Sequence, residues 1–157
     1  MTQKSMPRRL AAQNRRAHHD YHIQDTVEAG LVLAGSEVKS IRAGRATITE
    51  SYAGAQGGEL WLFSAYLPEY QAGPAAFGQS ARRPRKLLLR RREAARLMGA
   101  IQRDGMTLIA LDFHFSDRGM AKVMLGLGRG KSLHDKRESD RKHSWERDRS
   151  RLLRGDR

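Results

Sequence analysis

The segment from Arg129 to Arg157, RGKSLHDKRESDRKHSWERDRSRLLRGDR, sets the strongest limit on what this chain can fold into. Eleven of its residues are Lys or Arg, six are Asp or Glu, and only Leu133, Trp145, Leu152 and Leu153 are clearly apolar. So little apolar surface cannot offset the entropy of ordering the backbone, and on its own the segment is expected to be largely unfolded. Glu138 to Lys142 and Glu146 to Arg149 nonetheless have the spacing of helical ion pairs. A basic tail that becomes helical on contact, with His and Trp to stack, suits docking into an RNA-lined channel. The plainer reading is a solubilising tail. Either way, the core must come from the residues before it.

Charge is placed unevenly along those residues. Met1 to His19 holds five basic residues and no acid, and Arg82 to Arg96 holds eight basic residues and one acid. With the tail, these stretches carry +17 of a total of +13, which leaves −4 on the remainder. Clustered cations on a slightly acidic body are the footprint of a phosphate-binding protein, because counterion release rewards adjacent contacts. Arg16, His19, Arg85, Lys86 and Lys131 within these stretches, with Lys39 and Lys122 outside them, are candidates for RNA contact.

Several function classes drop out. The chain has no cysteine, so there is no disulfide, thiolate nucleophile or zinc–thiolate site. No apolar run approaches the roughly 20 residues of a membrane span, and the basic N-terminus lacks the apolar centre of a signal peptide. A cytoplasmic location is expected. Gly126-Leu127-Gly128-Arg129-Gly130-Lys131-Ser132 imitates a phosphate loop, but Leu125 stands where its first glycine belongs. It reads instead as a glycine-rich strand exit that brings backbone close to RNA and hinges the tail. His18-His19-Asp20 is adjacent in sequence, and consecutive strand residues point to opposite faces, so these do not converge on a metal. No nucleophile elbow or triad is present. Neither an enzyme nor a cofactor is expected.

The periodicity predicts a mainly β chain. Residues 1 to about 15 read as a mobile basic arm. From Tyr21 to Val27 the pattern alternates, and Gly30 breaks it. Ser36 caps a short helix that Gly44 closes. Thr47–Thr49 and Leu60–Tyr66 are strand candidates around a turn at Gln56–Glu59. Pro68 to Pro84 is an exposed loop. After Lys86–Leu89, the residues Ala94, Leu97, Met98 and Ile101 form one apolar helical stripe that ends near Gly105. Thr107–Phe115 and Val123–Leu127 form a hairpin around Ser116-Asp117-Arg118-Gly119. Five or six short strands with two small helices suggest an OB-like antiparallel β-barrel. The expected organisation is a flexible arm over 1–14, an RNA-binding barrel over 15–129 and a basic tail over 130–157.

Two residues keep two readings each. Leu88 is either core or an apolar contact between cationic groups, since alternation sends it to the face opposite Leu87 and Leu89. Glu28 either accepts from an RNA base or pins an arginine.

Taken together the motifs resemble one family. They are Asn14-Arg15-Arg16-Ala17-His18-His19-Asp20-Tyr21, Glu28-Ala29-Gly30, the run Gly35 to Gly44, Arg85 to Leu89, Lys122-Val123 leading to Gly126, and Gly130-Lys131 leading to His134-Asp135-Lys136-Arg137 and Trp145. In this order they resemble small protein B, the tmRNA-binding (SsrA-binding) family of bacterial trans-translation. The resemblance implies an OB-like barrel that binds the tRNA-like domain of tmRNA. With elongation factor Tu it enters ribosomes stalled on broken messages, and its tail becomes helical in the empty mRNA channel near the decoding centre. It implies tmRNA contacts at Glu28, Leu88, Arg90 and Lys122, and ribosome contacts at His134, Asp135, Lys136, Arg137 and Trp145. It implies no membrane or DNA partner. Arg90 stands where Asn is common in the family, implying a phosphate contact or stacking there. Ser132 replaces a second Lys, and Leu133 a frequent polar residue. Charge alone also admits a general OB-fold RNA chaperone or ribosome-associated basic protein.

Overall fold

The computed structural model describes residues 9–68 and 80–154. In chain order the elements are β1 (Arg9–Gln13), α1 (Ala17–Asp20), β2 (Tyr21–Leu31), α2 (Gly35–Arg42), β3 (Tyr52–Gln56), β4 (Glu59–Phe63), β5 (Arg85–Leu88), α3 (Arg91–Arg103), β6 (Thr107–Phe115), β7 (Ala121–Gly130) and α4 (Leu133–Arg154). The seven strands form one antiparallel sheet in the order β1-β6-β3-β4-β5-β2-β7, and β6 also pairs with β7. The sheet therefore curls into a near-closed ring, with β1 added outside on β6.

Alternation decides what fills the ring. Leu62, Leu108, Phe113, Val123 and Leu125 turn inward and are fully buried. The α3 stripe lies on this core through buried Leu97 and partly buried Ala94, Met98 and Ile101. Each fully buried Leu, Val or Phe among these contributes about 1.5–3 kcal/mol by leaving water. The hairpin and α3 were both predicted from periodicity, and both are present.

Other expectations need correction. Within the arm expected over 1–14, Arg9–Gln13 is a strand paired with β6; residues 1–8 lie outside the described ones. Thr47–Thr49 is no strand: Thr47 makes a single bridge to Tyr66. The α2 helix begins at Gly35, and Glu37 rather than Ser36 caps it, accepting from the Ala34 amide at 2.9 Å. Most of the loop expected at 68–84 falls at 69–79, outside the described residues.

Gly30 does not end β2, which runs on through Leu31. Two glycines of β7, Gly126 and Gly128, are required by the packing of the sheet. A Cβ on Gly128 would stand 2.2 Å from the His22 carbonyl oxygen, and one on Gly126 would meet Leu111 at 3.0 Å. Both positions admit neighbouring protein, so the strand runs through the glycine-rich segment to Gly130. The tail is likewise ordered as α4, a 22-residue helix. Its charged residues pair with α1, as described below, which supplies the tertiary anchoring that the isolated segment lacks.

Candidate nucleic-acid interface

Four strands bring the candidate residues β5, β2, β7 and β6 supply onto one face. Gly30 of β2 pairs with Leu88 of β5 on one side and with Lys122 of β7 on the other, and Lys122 pairs with His114 of β6. Cross-strand partners share a face, so Leu88, Lys122 and His114 form one row. Two residues along, Glu28, Met124 and Asp112 form the next. Gly30 makes this row compact. A Cβ there would lie 3.2 Å from Leu88 Cβ and 3.6 Å from Lys122 Nζ, so a methyl-bearing side chain and an ammonium converge over bare backbone.

The face is chemically mixed in the way RNA recognition needs. Leu88 is 50% exposed, which settles its two readings in favour of the surface. Among the described residues Glu28 pins no arginine. Its Oε2 lies 3.0 Å from His114 Nε2, and His114 Nδ1 lies 2.7 Å from Asp112 Oδ1. Beside Leu88, exposed Arg90 is the N-cap of α3. Together with Lys86, Glu59 and Arg91, these two residues line an open groove of about 680 Å³. Lys86 reaches Glu59 at 3.0 Å and remains partly exposed.

Arg85 departs from the expectation. It is completely buried, and its guanidinium is consumed inside the protein. Nε donates to Glu37 Oε2 at 2.6 Å, Nη1 to the Ala65 carbonyl at 2.7 Å and Nη2 to the Ala81 carbonyl at 2.9 Å. Arg83 also donates to Glu37. Burial pushes the Glu37 carboxyl up, but the Ala34 amide, Arg83 and Arg85 outweigh it and hold the carboxyl below its usual range. Burial draws Arg85 down, while Glu37 works against that. This side chain organises the fold and offers RNA no surface.

A second basic cluster forms where α4 meets α1. His19 Nδ1 lies 2.8 Å from Asp20 Oδ1, and Nε2 lies 2.7 Å from Asp140 Oδ1 on α4. Lys131 Nζ donates to the His18 carbonyl at 2.7 Å, and its amide to the Asp20 carbonyl at 2.8 Å. Lys136 approaches Asp20 at 3.7 Å and exposed Arg16 does so at 3.8 Å. The hydrogen bond from His19, with the Lys136 and Arg16 charges, outweighs burial and lowers the Asp20 carboxyl. His19 and Lys131, expected as RNA contacts, here hold the tail to the body.

Along α4, His134 pairs with Glu138 at 3.1 Å, Arg137 is exposed, and Trp145 is 61% exposed with Arg149 5.4 Å from its ring centroid. The Asp135 side chain lies outside the described ones. An open cleft of about 980 Å³ separates Arg15 from His143, Glu146 and Arg147. Lys39 is exposed on α2. Among the described residues no His, Asp or Glu group is arranged to hold a metal, and no helix is long and apolar enough to cross a membrane.

Sequence reasoning gave Asp112 no role, left His114 as a residue of the hairpin strand and read Gly30 as a break in β2. The spacing of Asp112 and His114 on one strand was the available signal, because i and i+2 share a face.

The model of the family described as SmpB protein matches residues 11–155. The SsrA-binding protein of Paramagnetospirillum magneticum is 56% identical over 149 residues, 95% of this chain and 97% of that protein. That of Methylobacterium nodulans is 55% identical over 155 residues, 98% of each. A solved structure described as "tmRNA-SmpB: a journey to the center of the bacterial ribosome" superposes with a TM-score of 0.65 at 47% identity, over 82% of this chain and 93% of that one. Near full-length matches at this identity, on a fold with a converged mixed face and a basic helix, leave one conclusion: this chain belongs to the SmpB family.

Proposed function

We propose that this chain is the SsrA-binding protein of trans-translation in its bacterium, an RNA-binding cytoplasmic protein and not an enzyme. Its near-closed sheet reads as an OB-like barrel over residues 15–129. It binds the tRNA-like domain of tmRNA through Glu28, Leu88, Arg90 and Lys122, with Lys86, Lys39 and Arg16 as flanking cations. In company with elongation factor Tu it delivers tmRNA to stalled ribosomes. The tail over 130–157, bearing His134, Asp135, Lys136, Arg137 and Trp145, probes the empty mRNA channel and decoding centre.

The observation that carries this reading is the convergence over Gly30. Leu88, Lys122 and Glu28, far apart in sequence, offer an apolar contact, a phosphate-binding cation and a hydrogen-bond acceptor on one face. A generic polyanion binder needs only the cation; an acceptor and an apolar contact serve shape and base recognition. The test is competitive binding to the tRNA-like domain of tmRNA against an elongator tRNA and an unrelated hairpin at two salt concentrations. Preference that survives the higher salt supports the reading. Equal affinities that collapse together with salt would reduce the protein to a general RNA chaperone.

A further inference from the structure

Behind Glu28 lies chemistry that RNA contact alone does not use. The His114 side chain is 1% exposed, and burying an imidazole costs free energy unless its nitrogens find partners. Both nitrogens have one: Glu28 Oε2 at 3.0 Å and Asp112 Oδ1 at 2.7 Å. The three residues form a chain through a buried ring, with side-chain exposures of 12% for Asp112, 1% for His114 and 47% for Glu28. Strand register builds it. Glu28 and Asp112 both pair with Met124, and His114 sits one step along the same face, opposite Lys122.

An exposed glutamate ordinarily samples many rotamers, and binding through it must freeze them. Here a ring locked into the sheet holds one carboxylate oxygen, so the carboxylate is aimed before any ligand arrives. Asp112, fixed on the same strand, orients the ring. Lys122, opposite His114 in the same row, offers a cation for a phosphate.

We propose that His114, oriented by Asp112, is a positioning residue for RNA recognition. It holds the Glu28 carboxylate ready to accept from a base N–H or ribose 2′-OH of a structured RNA. The inference rests on the tmRNA reading of this face given above.

A double-mutant cycle on the full-length protein tests it, with the tRNA-like domain of tmRNA as the probe and thermal midpoints recorded throughout. His114→Leu and Glu28→Gln should each weaken binding about tenfold, the scale of one charge-assisted hydrogen bond. The double variant should be no weaker than either single one. His114→Gln, whose amide still donates toward Glu28, should recover most of the affinity. Unchanged binding in His114→Leu, or additive losses in the double variant, would overturn the inference. If His114→Leu does not fold, Asp112→Asn takes its place in the cycle, with loss expected in the native background and none beside Glu28→Gln. A native protein with no preference for the tRNA-like domain over elongator tRNA would instead defeat the functional reading, so the two failures are distinguishable.

Discussion

The Arg85 guanidinium and the Glu37 carboxylate meet at 2.6 Å in the interior, joining β5 to α2 across 48 residues of chain. Arg85 also ties down the Ala65 and Ala81 carbonyls. Removing one partner of such a pair leaves an uncompensated buried charge. Arg85→Ala should therefore destabilise the protein by about 3–5 kcal/mol, measured by urea unfolding. Loss of RNA affinity with stability unchanged would return Arg85 to the RNA surface.

The same pair predicts an acid limb. Glu37 has its carboxyl lowered in the folded state, so the folded protein binds that proton less readily than the unfolded chain. The resulting stabilisation is present above the ordinary carboxylate range and is lost as pH falls through the lowered folded value. Unfolding free energy followed from neutral pH into acid should decline over that window. In Glu37→Gln the decline should be shallower, starting from a lower plateau.

Gly128 and Gly130 are two residues apart on β7 but should respond differently to a methyl group. At Gly128 a Cβ would strike the His22 carbonyl at 2.2 Å, and backbone cannot step aside; at Gly130 nothing lies within 4 Å. Gly128→Ala should cost about 1–3 kcal/mol through overpacking. Gly130→Ala should leave the thermal midpoint nearly unchanged, and equal effects would contradict the close strand approach.

The contacts of α4 are partly exposed, and each such pair is worth about 0–1 kcal/mol. Asp140→Ala, which frees His19 Nε2, should raise amide hydrogen exchange along α4 while leaving that of the sheet intact. A chain ending at Lys131 should keep tmRNA affinity and lose tagging on stalled ribosomes. Loss of tmRNA binding on truncation would refute the division between body and tail.

What the sequence revealed and what it hid follow from range. The β6–β7 hairpin and the α3 stripe were legible because periodicity and turn residues are local signals. Arg85 was not, because its partner lies 48 residues away, and a buried arginine looks the same in a basic run as an exposed one. Gly30 looked like a breaker. Only the pairing of three strands shows that its missing side chain makes room for Leu88 and Lys122. The order in α4 was hidden for the same reason: its anchors are His18, His19 and Asp20, more than a hundred residues earlier.

The closing of the ring also has a consequence for timing during synthesis. β2 pairs with β5 over only Gly30 and Leu31, but with β7 from Tyr21 to Gly30. Among the described strands β7 comes last in chain order, so β2 waits with its long edge unsatisfied until all the others have been made. Pairing over such sequence separations is slow and leaves intermediates prone to association. A nascent chain cut short before Ala121 would hold almost every part of the sheet and still lack the strand that closes it. The protein becomes competent all at once, and only after β7 has been made.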